Sequence, residues 1–406
     1  MLTQFETIRD RGVTAPAGFR AGSGRAGLKS QGDDIILVAI DRPGTVAGIF
    51  TTNRIHAASV DFSSQVADRG FAMGVVANAG CANACTGIDG AAANVSMARS
   101  AAAALGIRED AVITASTGVI GQLLPVPLVE IGIAEAAGRL GAGQQSDEAV
   151  ARAILTTDLR TKMTAAECRA DTWEGPITIG AVCKGSGMIA PNMATMLAFI
   201  STDAQISPAG LRRALVGAAK STLNSVTVDG DTSTNDMAII LASNAGTRAD
   251  ATEEALEDFT DALTRVCDTL ARSIARDGEG ANHLVSVRVV GAASDADARR
   301  CARSIAESPL VKTALFGRDP NWGRILAAAG RSGAALDPER VEVHIGTNCV
   351  CARGTVATFD ADEVRKFLQS DEVELTVDLG VGAAACRFFT CDLSYDYIRI
   401  NAEYHT

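Results

Sequence analysis

The sequence predicts an α/β chain built on a mixed or antiparallel sheet with helices, and three observations predict it. Short apolar runs rich in Val and Ile recur along the 406 residues. Ala-rich stretches with apolar residues at helical spacing fall between them. The two kinds do not alternate strictly, however, and strand-like runs follow one another across short turns, unlike a doubly wound parallel sheet. The length allows two core-forming units or one large α/β domain. Aromatics make up only 4% of the chain while Ala and Gly are plentiful, so the core is expected to rest on small aliphatic side chains.

In chain order, residues 35–40 read as a buried strand and 46–52 as its neighbour across an Arg42-Pro43-Gly44 turn. A third strand at 71–77 ends in the polar loop 78–84, and a helix at 91–105 stops at Gly106. Residues 112–115 form a strand that runs into Ser116-Thr117-Gly118. Helices follow at 128–140 and 147–155, the second ending in Thr156-Thr157-Asp158. Strands at 177–183 and 196–200 flank a Gly-rich loop. A helix at 211–223 precedes the polar stretch 229–236, and 237–242 is again a strand. The longest helical pattern, 252–275, stops at Arg276-Asp277-Gly278-Glu279-Gly280. Beyond it come a strand at 284–290, a helix at 295–305, a Gly-punctuated loop at 315–324 before an Ala-rich helical segment, and strands at 341–345, 374–379 and 385–400.

Several classes of function are excluded. A net charge of −11 with no visible basic patch argues against a nucleic-acid partner. No apolar run approaches the roughly 20 residues of a membrane span, and residues 1–6 lack a secretory leader, so a cytoplasmic location is expected. Among the ten cysteines only Cys81/Cys85 and Cys349/Cys351 are close pairs, and no His sits at zinc-finger spacing. Cys183, Cys267, Cys301 and Cys386 lie in apolar runs, where a thiol acts as a small hydrophobe. Asp229, Asp231 and Asp236 have partial calcium-loop spacing but lack the Gly and terminal Glu of an EF-hand. No metal site is expected. The Gly-rich stretch 21–27 follows no predicted strand and opens no clear helix, which makes it a poor dinucleotide loop.

The chemistry centres on Lys184-Gly185-Ser186-Gly187-Met188-Ile189-Ala190-Pro191-Asn192-Met193-Ala194-Thr195. This loop delivers Thr195, preceded by the small Ala194, to the start of a buried strand. None of the four histidines belongs to a serine- or cysteine-hydrolase signature. A Thr can use its own α-amine as base, but only when it is N-terminal. Attack of the Thr195 hydroxyl on the Ala194 carbonyl, with water resolving the ester, would confer that status. By spacing alone the plainer reading, a Thr that begins a buried strand, is the stronger one. Thr117 and Gly118 offer a hydroxyl and an N–H to a developing oxyanion, although an ordinary Ser-Thr-Gly turn fits the same residues.

The loop 184–197 closely resembles the self-cleavage site of the ornithine acetyltransferases, the bifunctional glutamate N-acetyltransferases of arginine biosynthesis. Residues 48–54, 115–121, 156–158, 229–236, 317–324 and 401–406 resemble the same family in the same order, so the likeness spans essentially the whole chain. Cys81 departs from it, Asn being expected there. The resemblance implies two α/β parts in a mixed-sheet sandwich with helices, the fold shared with self-processing aminopeptidases. It implies cleavage between Ala194 and Thr195, giving an α chain 1–194 and a β chain 195–406 in a heterotetramer of two of each. It implies a ping-pong transfer of acetyl from N2-acetylornithine to glutamate, with Thr195 as nucleophile and Thr117 and Gly118 as oxyanion hole. Thr157, Lys184, Thr195, Glu279, Asn401 and Thr406 match the family's substrate-binding positions. Lys184 and Glu279 would otherwise read as surface charges. No cofactor is implied, and acetyl-CoA is a candidate co-substrate. The alternative is a related self-processing N-terminal-nucleophile aminopeptidase or amidohydrolase, which passes the acyl group to water.

Overall fold

The computed structural model describes residues 1–190 and 196–403. Two mixed sheets form the architecture. The larger holds β1 (Leu2–Thr7), β2 (Phe19–Gly24), β3 (Ile35–Phe50), β4 (Phe71–Cys81), β5 (Val112–Val119), β6 (Lys162–Ala170), β7 (Ile177–Lys184), β8 (Leu197–Thr202) and β9 (Met237–Ala242). Its order is β1-β6-β7-β8-β9-β3-β4-β5, with β2 also on β3. Pairing is antiparallel except for β8/β9 and β4/β5. The smaller sheet holds β10 (Leu284–Ala292), β11 (Glu342–Ile345), β12 (Asn348–Ala352), β13 (Thr355–Val356), β14 (Glu372–Asp378) and β15 (Ala384–Cys391), in the order β13-β12-β11-β14-β10-β15.

Helices cover both faces of the larger sheet. On one face lie α1 (Ala58–Arg69) and α4 (Gln144–Ala153), while α2 (Gly87–Leu105) and α3 (Val126–Gly138) pack elsewhere on β3, β4 and β5. α5 (Pro208–Ser221) and α6 (Glu253–Arg276) cover the face opposite α1 and α4. β8 therefore buries side chains both ways: Leu197 and Phe199 join one core, Ala198 and Ile200 the other. The smaller sheet packs on α7 (Asp295–Ala306), α8 (Pro309–Phe316), α9 (Trp322–Gly330) and α10 (Ala361–Phe367), and α11 (Tyr395–Glu403) closes the described chain.

α6 joins the two halves. The Thr252 side chain accepts from the Ala255 N–H, and Glu253 and Glu254 complement the positive end of the helix. Leu256, Phe259, Leu263, Val266, Leu270 and Ile274 recur every three or four residues and are all buried. That stripe meets β6 and β7 on one side and reaches β10 and β15 on the other. At about 1.5–3 kcal/mol per buried side chain, it contributes on the order of 10 kcal/mol of apolar burial.

Two expectations are corrected. Residues 35–52 are not a hairpin: β3 runs through Arg42-Pro43-Gly44 with an irregularity between Ala39 and Gly44. Its first half pairs with β2 and β4, and its second half with β9. Gly44 is needed there because a Cβ would stand 2.3 Å from the Ala242 carbonyl oxygen. The strand expected over 385–400 ends at Cys391. Asp392 takes the N–H groups of Asn282 and His283, and Ser394 then accepts from the Asp396 N–H and starts α11. Residues 21–24 fall within β2, so the Gly-rich stretch begins in a strand whose partner is β3.

Candidate active site

A small cleft opens where β5 and β7 end, and two differently built walls face each other across it. The first is the β4–β5 wall. Thr117 pairs with Ala79 and Gly118 with Gly80 before the ladder becomes irregular at Cys81. Gly118 has φ +133°, and a Cβ there would lie 2.2 Å from the Gly80 carbonyl carbon. Only glycine fits both the angle and the space. The Asn235 amide clamps this end, donating to the carbonyls of Ala82 at 2.6 Å and Ser116 at 2.8 Å. Thr117 is buried, and Lys184 Nζ donates to its Oγ1 at 3.2 Å. Because an ammonium can only donate, the Thr117 hydroxyl is left to send its own proton elsewhere.

The second wall consists of loops tied by buried charge. Lys162, at the start of β6, is 2% exposed and donates to Asp158 Oδ1 at 2.6 Å and Asp277 Oδ2 at 2.5 Å. Asp158 also accepts from the N–H groups of Gly185 and Thr156, and Asp277 from those of Leu159 and Arg160. Ser186 Oγ donates to the Asp277 carbonyl, and the Glu279 N–H donates to the Ser186 carbonyl. Burial would raise the Asp158 pKa, but Lys184, Lys162 and the Gly185 N–H outweigh it and hold the group at about 2. Burial would likewise lower the Lys162 pKa, and the two carboxylates instead raise it.

Residues 229–236 brace the Gly-rich loop from below. Asp229 accepts from the N–H groups of Met188 at 2.6 Å and Ile189 at 2.9 Å, and Thr232 Oγ1 donates to the Ala190 carbonyl. Asp236 opens β9 fully enclosed, with Oδ2 unpartnered. Burial pushes its pKa well above the usual carboxylate range, against Ser233 and Lys184.

Thr117, Gly118, Thr157, Lys184, Glu279 and Asn401 all line this one cleft. Glu279 lies over Gly187, where a Cβ would stand 2.4 Å from its carboxylate, and accepts from Asn401 Nδ2 at 2.8 Å. Asn401 arrives on α11 from the far end of the chain. Ala194, Thr195 and Thr406 lie outside the described residues. Residues 317–324 do not line the cleft; they link α8 to α9 on the smaller sheet. Sequence reasoning missed Lys162 and Asp277, whose only signal was a charged residue opening an apolar strand and another closing a long helix. Cys183, Cys267 and Cys301 are buried, whereas Cys386 is partly exposed. Burial raises the Cys183 and Cys267 thiols to about 12. Among the described residues no group of His, Cys, Asp and Glu is placed to hold a metal ion, and no helix is long and apolar enough to cross a membrane.

The ArgJ family model matches residues 20–406. An arginine biosynthesis bifunctional protein ArgJ from Symbiobacterium thermophilum is 47% identical over 400 residues, covering 97% of this chain and 98% of that protein. A glutamate N-acetyltransferase from Methanopyrus kandleri is 42% identical over 397 residues, covering 97% and 100%. A solved structure of the ArgJ protein from Bacillus halodurans is 41% identical over 51% of this chain and 98% of that one, with a TM-score of 0.49.

Proposed function

The chain belongs to the ArgJ family and is an acetyltransferase, and we propose that it moves acetyl from N2-acetylornithine to glutamate by a ping-pong mechanism in arginine biosynthesis. One observation carries the reading: six residues separated by up to 284 positions in sequence, from Thr117 to Asn401, meet in a single cleft.

In the proposed reaction the Thr195 hydroxyl oxygen attacks the acetyl carbonyl carbon, and the α-amine of Thr195 takes the hydroxyl proton. The oxyanion accepts from the Thr117 hydroxyl and the Gly118 N–H, each such donor being worth about 3 kcal/mol in comparable sites. That the Thr117 oxygen already accepts from Lys184 supports its role as donor. Collapse breaks the carbon–nitrogen bond, and ornithine leaves carrying the proton. The glutamate α-amine then attacks the acetyl-threonine ester, giving N-acetylglutamate and restoring Thr195. Thr157, Lys184, Glu279, Asn401 and Thr406 bind the two amino acids. Lys184 meets a substrate carboxylate and Glu279 an ammonium, as their charges suit.

The α-amine becomes available by self-cleavage. The Thr195 hydroxyl displaces the amide nitrogen from the Ala194 carbonyl, and water hydrolyses the resulting ester. Pairing of β7 with β8 from Ile179↔Thr202 to Lys184↔Leu197 supports an α chain 1–194 and a β chain 195–406 that remain associated. Two copies of each make the proposed heterotetramer, working in the cytoplasm without a cofactor. Acetyl-CoA is the candidate second acetyl donor.

Incubation with N2-acetylornithine, with and without glutamate, and with acetyl-CoA as a second donor, tests the reading. Ornithine release should depend on glutamate and match N-acetylglutamate formed. Equal release without glutamate would identify a hydrolase instead. Intact-mass measurement should find two chains rather than one of 41.9 kDa, and Thr195→Ala should abolish both cleavage and transfer.

A further inference from the structure

Three loops each present a polar side chain to the cleft: 156–160 carries Thr157, 184–187 carries Lys184 and 277–280 carries Glu279. They arise from distant parts of the chain, yet one buried ammonium lies at their junction. Lys162 Nζ contacts Asp158 on the first loop and Asp277 on the third. Asp158 in turn holds the Gly185 N–H of the second loop at 2.7 Å. Asp277 reaches back to the first loop through the N–H groups of Leu159 and Arg160. Its carbonyl takes the Ser186 hydroxyl at 2.7 Å. Side-chain exposures of 1%, 0% and 4% leave this triad outside the cleft itself.

We infer that Lys162, with Asp158 and Asp277, is the positioning unit that sets the three loops relative to one another, and through them the spacing of Thr157, Lys184 and Glu279. The unit touches no substrate. It acts by holding three substrate-facing groups in register, and displacement of such groups by about 1 Å costs on the order of 100-fold in rate. A triad kept only for stability could be replaced without consequence for rate, since apolar replacement of a buried ionic cluster is often tolerated.

This inference rests on the cleft being the substrate site, and its test has one arm independent of activity. Lys162→Met tests the ammonium but leaves two buried carboxylates and risks misfolding. The triple variant Lys162→Met/Asp158→Asn/Asp277→Asn removes the charges while keeping carbonyl acceptors for the Gly185, Leu159 and Arg160 N–H groups. Hydrogen exchange on the triple variant should show 156–160, 184–187 and 277–280 losing protection together, with the β11–β12 hairpin unchanged. Its kcat/KM per folded site should fall about 100-fold. Wild-type protection and wild-type kcat/KM in a folded triple variant would overturn the inference. So would loosening confined to one loop. If wild type transfers no acetyl group, the proposed reaction fails and hydrogen exchange alone decides the triad.

Discussion

On the β4–β5 wall, strand ends are held by backbone against backbone. On the wall facing it, three loops are held by charge against charge. The first is set by a glycine that no other residue can replace, because a Cβ on Gly118 has no space beside Gly80. The second is set by Lys162, Asp158 and Asp277, none of which is individually demanded by sterics. Under the proposed function, the difference follows from what each wall would carry. An oxyanion donor must sit within tenths of an ångström of one point, which close-packed backbone achieves. The proposed substrate anchors, Thr157, Lys184 and Glu279, come from three separate loops, and a multidentate ionic centre can reach all three.

Breaking the ionic wall should have the largest effect on folding. Lys162→Met leaves two buried carboxylates uncompensated, and denaturant unfolding should show a loss of about 3–5 kcal/mol. Breaking the backbone wall should strike chemistry as well as folding, since a Cβ on Gly118 has no space beside Gly80. Gly118→Ala should lower kcat by about 10²–10³-fold, read by acetyl transfer at saturating substrates.

A third experiment separates either wall from the floor between them. Above pH 3.8 the unfolded chain surrenders the Asp236 proton while the folded chain keeps it, so wild-type stability falls as pH rises toward the elevated folded pKa. Asp236→Asn lacks that dependence, and its stability relative to wild type should increase as pH rises above 3.8. Asp158 has the opposite sign: its folded value of about 2 makes its contribution full above 3.8 and progressively lost as pH falls toward 2. The smallest effect is expected at the rim. Asn401 is exposed, and Asn401→Ala removes one hydrogen bond to Glu279, about 1 kcal/mol or roughly a fivefold rise in substrate KM.

Much of this was legible in the sequence. The stripe of α6 follows from Leu256 to Ile274 at helical spacing, and β8 follows from a continuous apolar run. Gly118 drew notice because its turn follows a strand end, whereas Lys184 read as a surface charge until the family resemblance marked it. Other features carried no local signal. Arg42-Pro43-Gly44 has the composition of a reversing turn, yet β3 continues through it, with an irregularity before Gly44, to pair with β9. Residues 395–400 are rich in Tyr and Ile, which favours strand, but Asp392 ends the ladder and Ser394 redirects the chain into α11. Lys162, one of six lysines, carried no local mark of burial.

The sequence by itself determined the class of fold and most strand and helix positions, while the family resemblance marked polar loops, of which 317–324 lies away from the cleft. Periodicity and turn chemistry act over a few residues, so they can be read without knowing what is nearby. Tertiary structure alone decided that Lys162 is a buried centre, that burial raises the Asp236 pKa, and that Asn401 meets Glu279. Each depends on desolvation and contact between residues far apart in the chain, and neither quantity exists until the chain has folded.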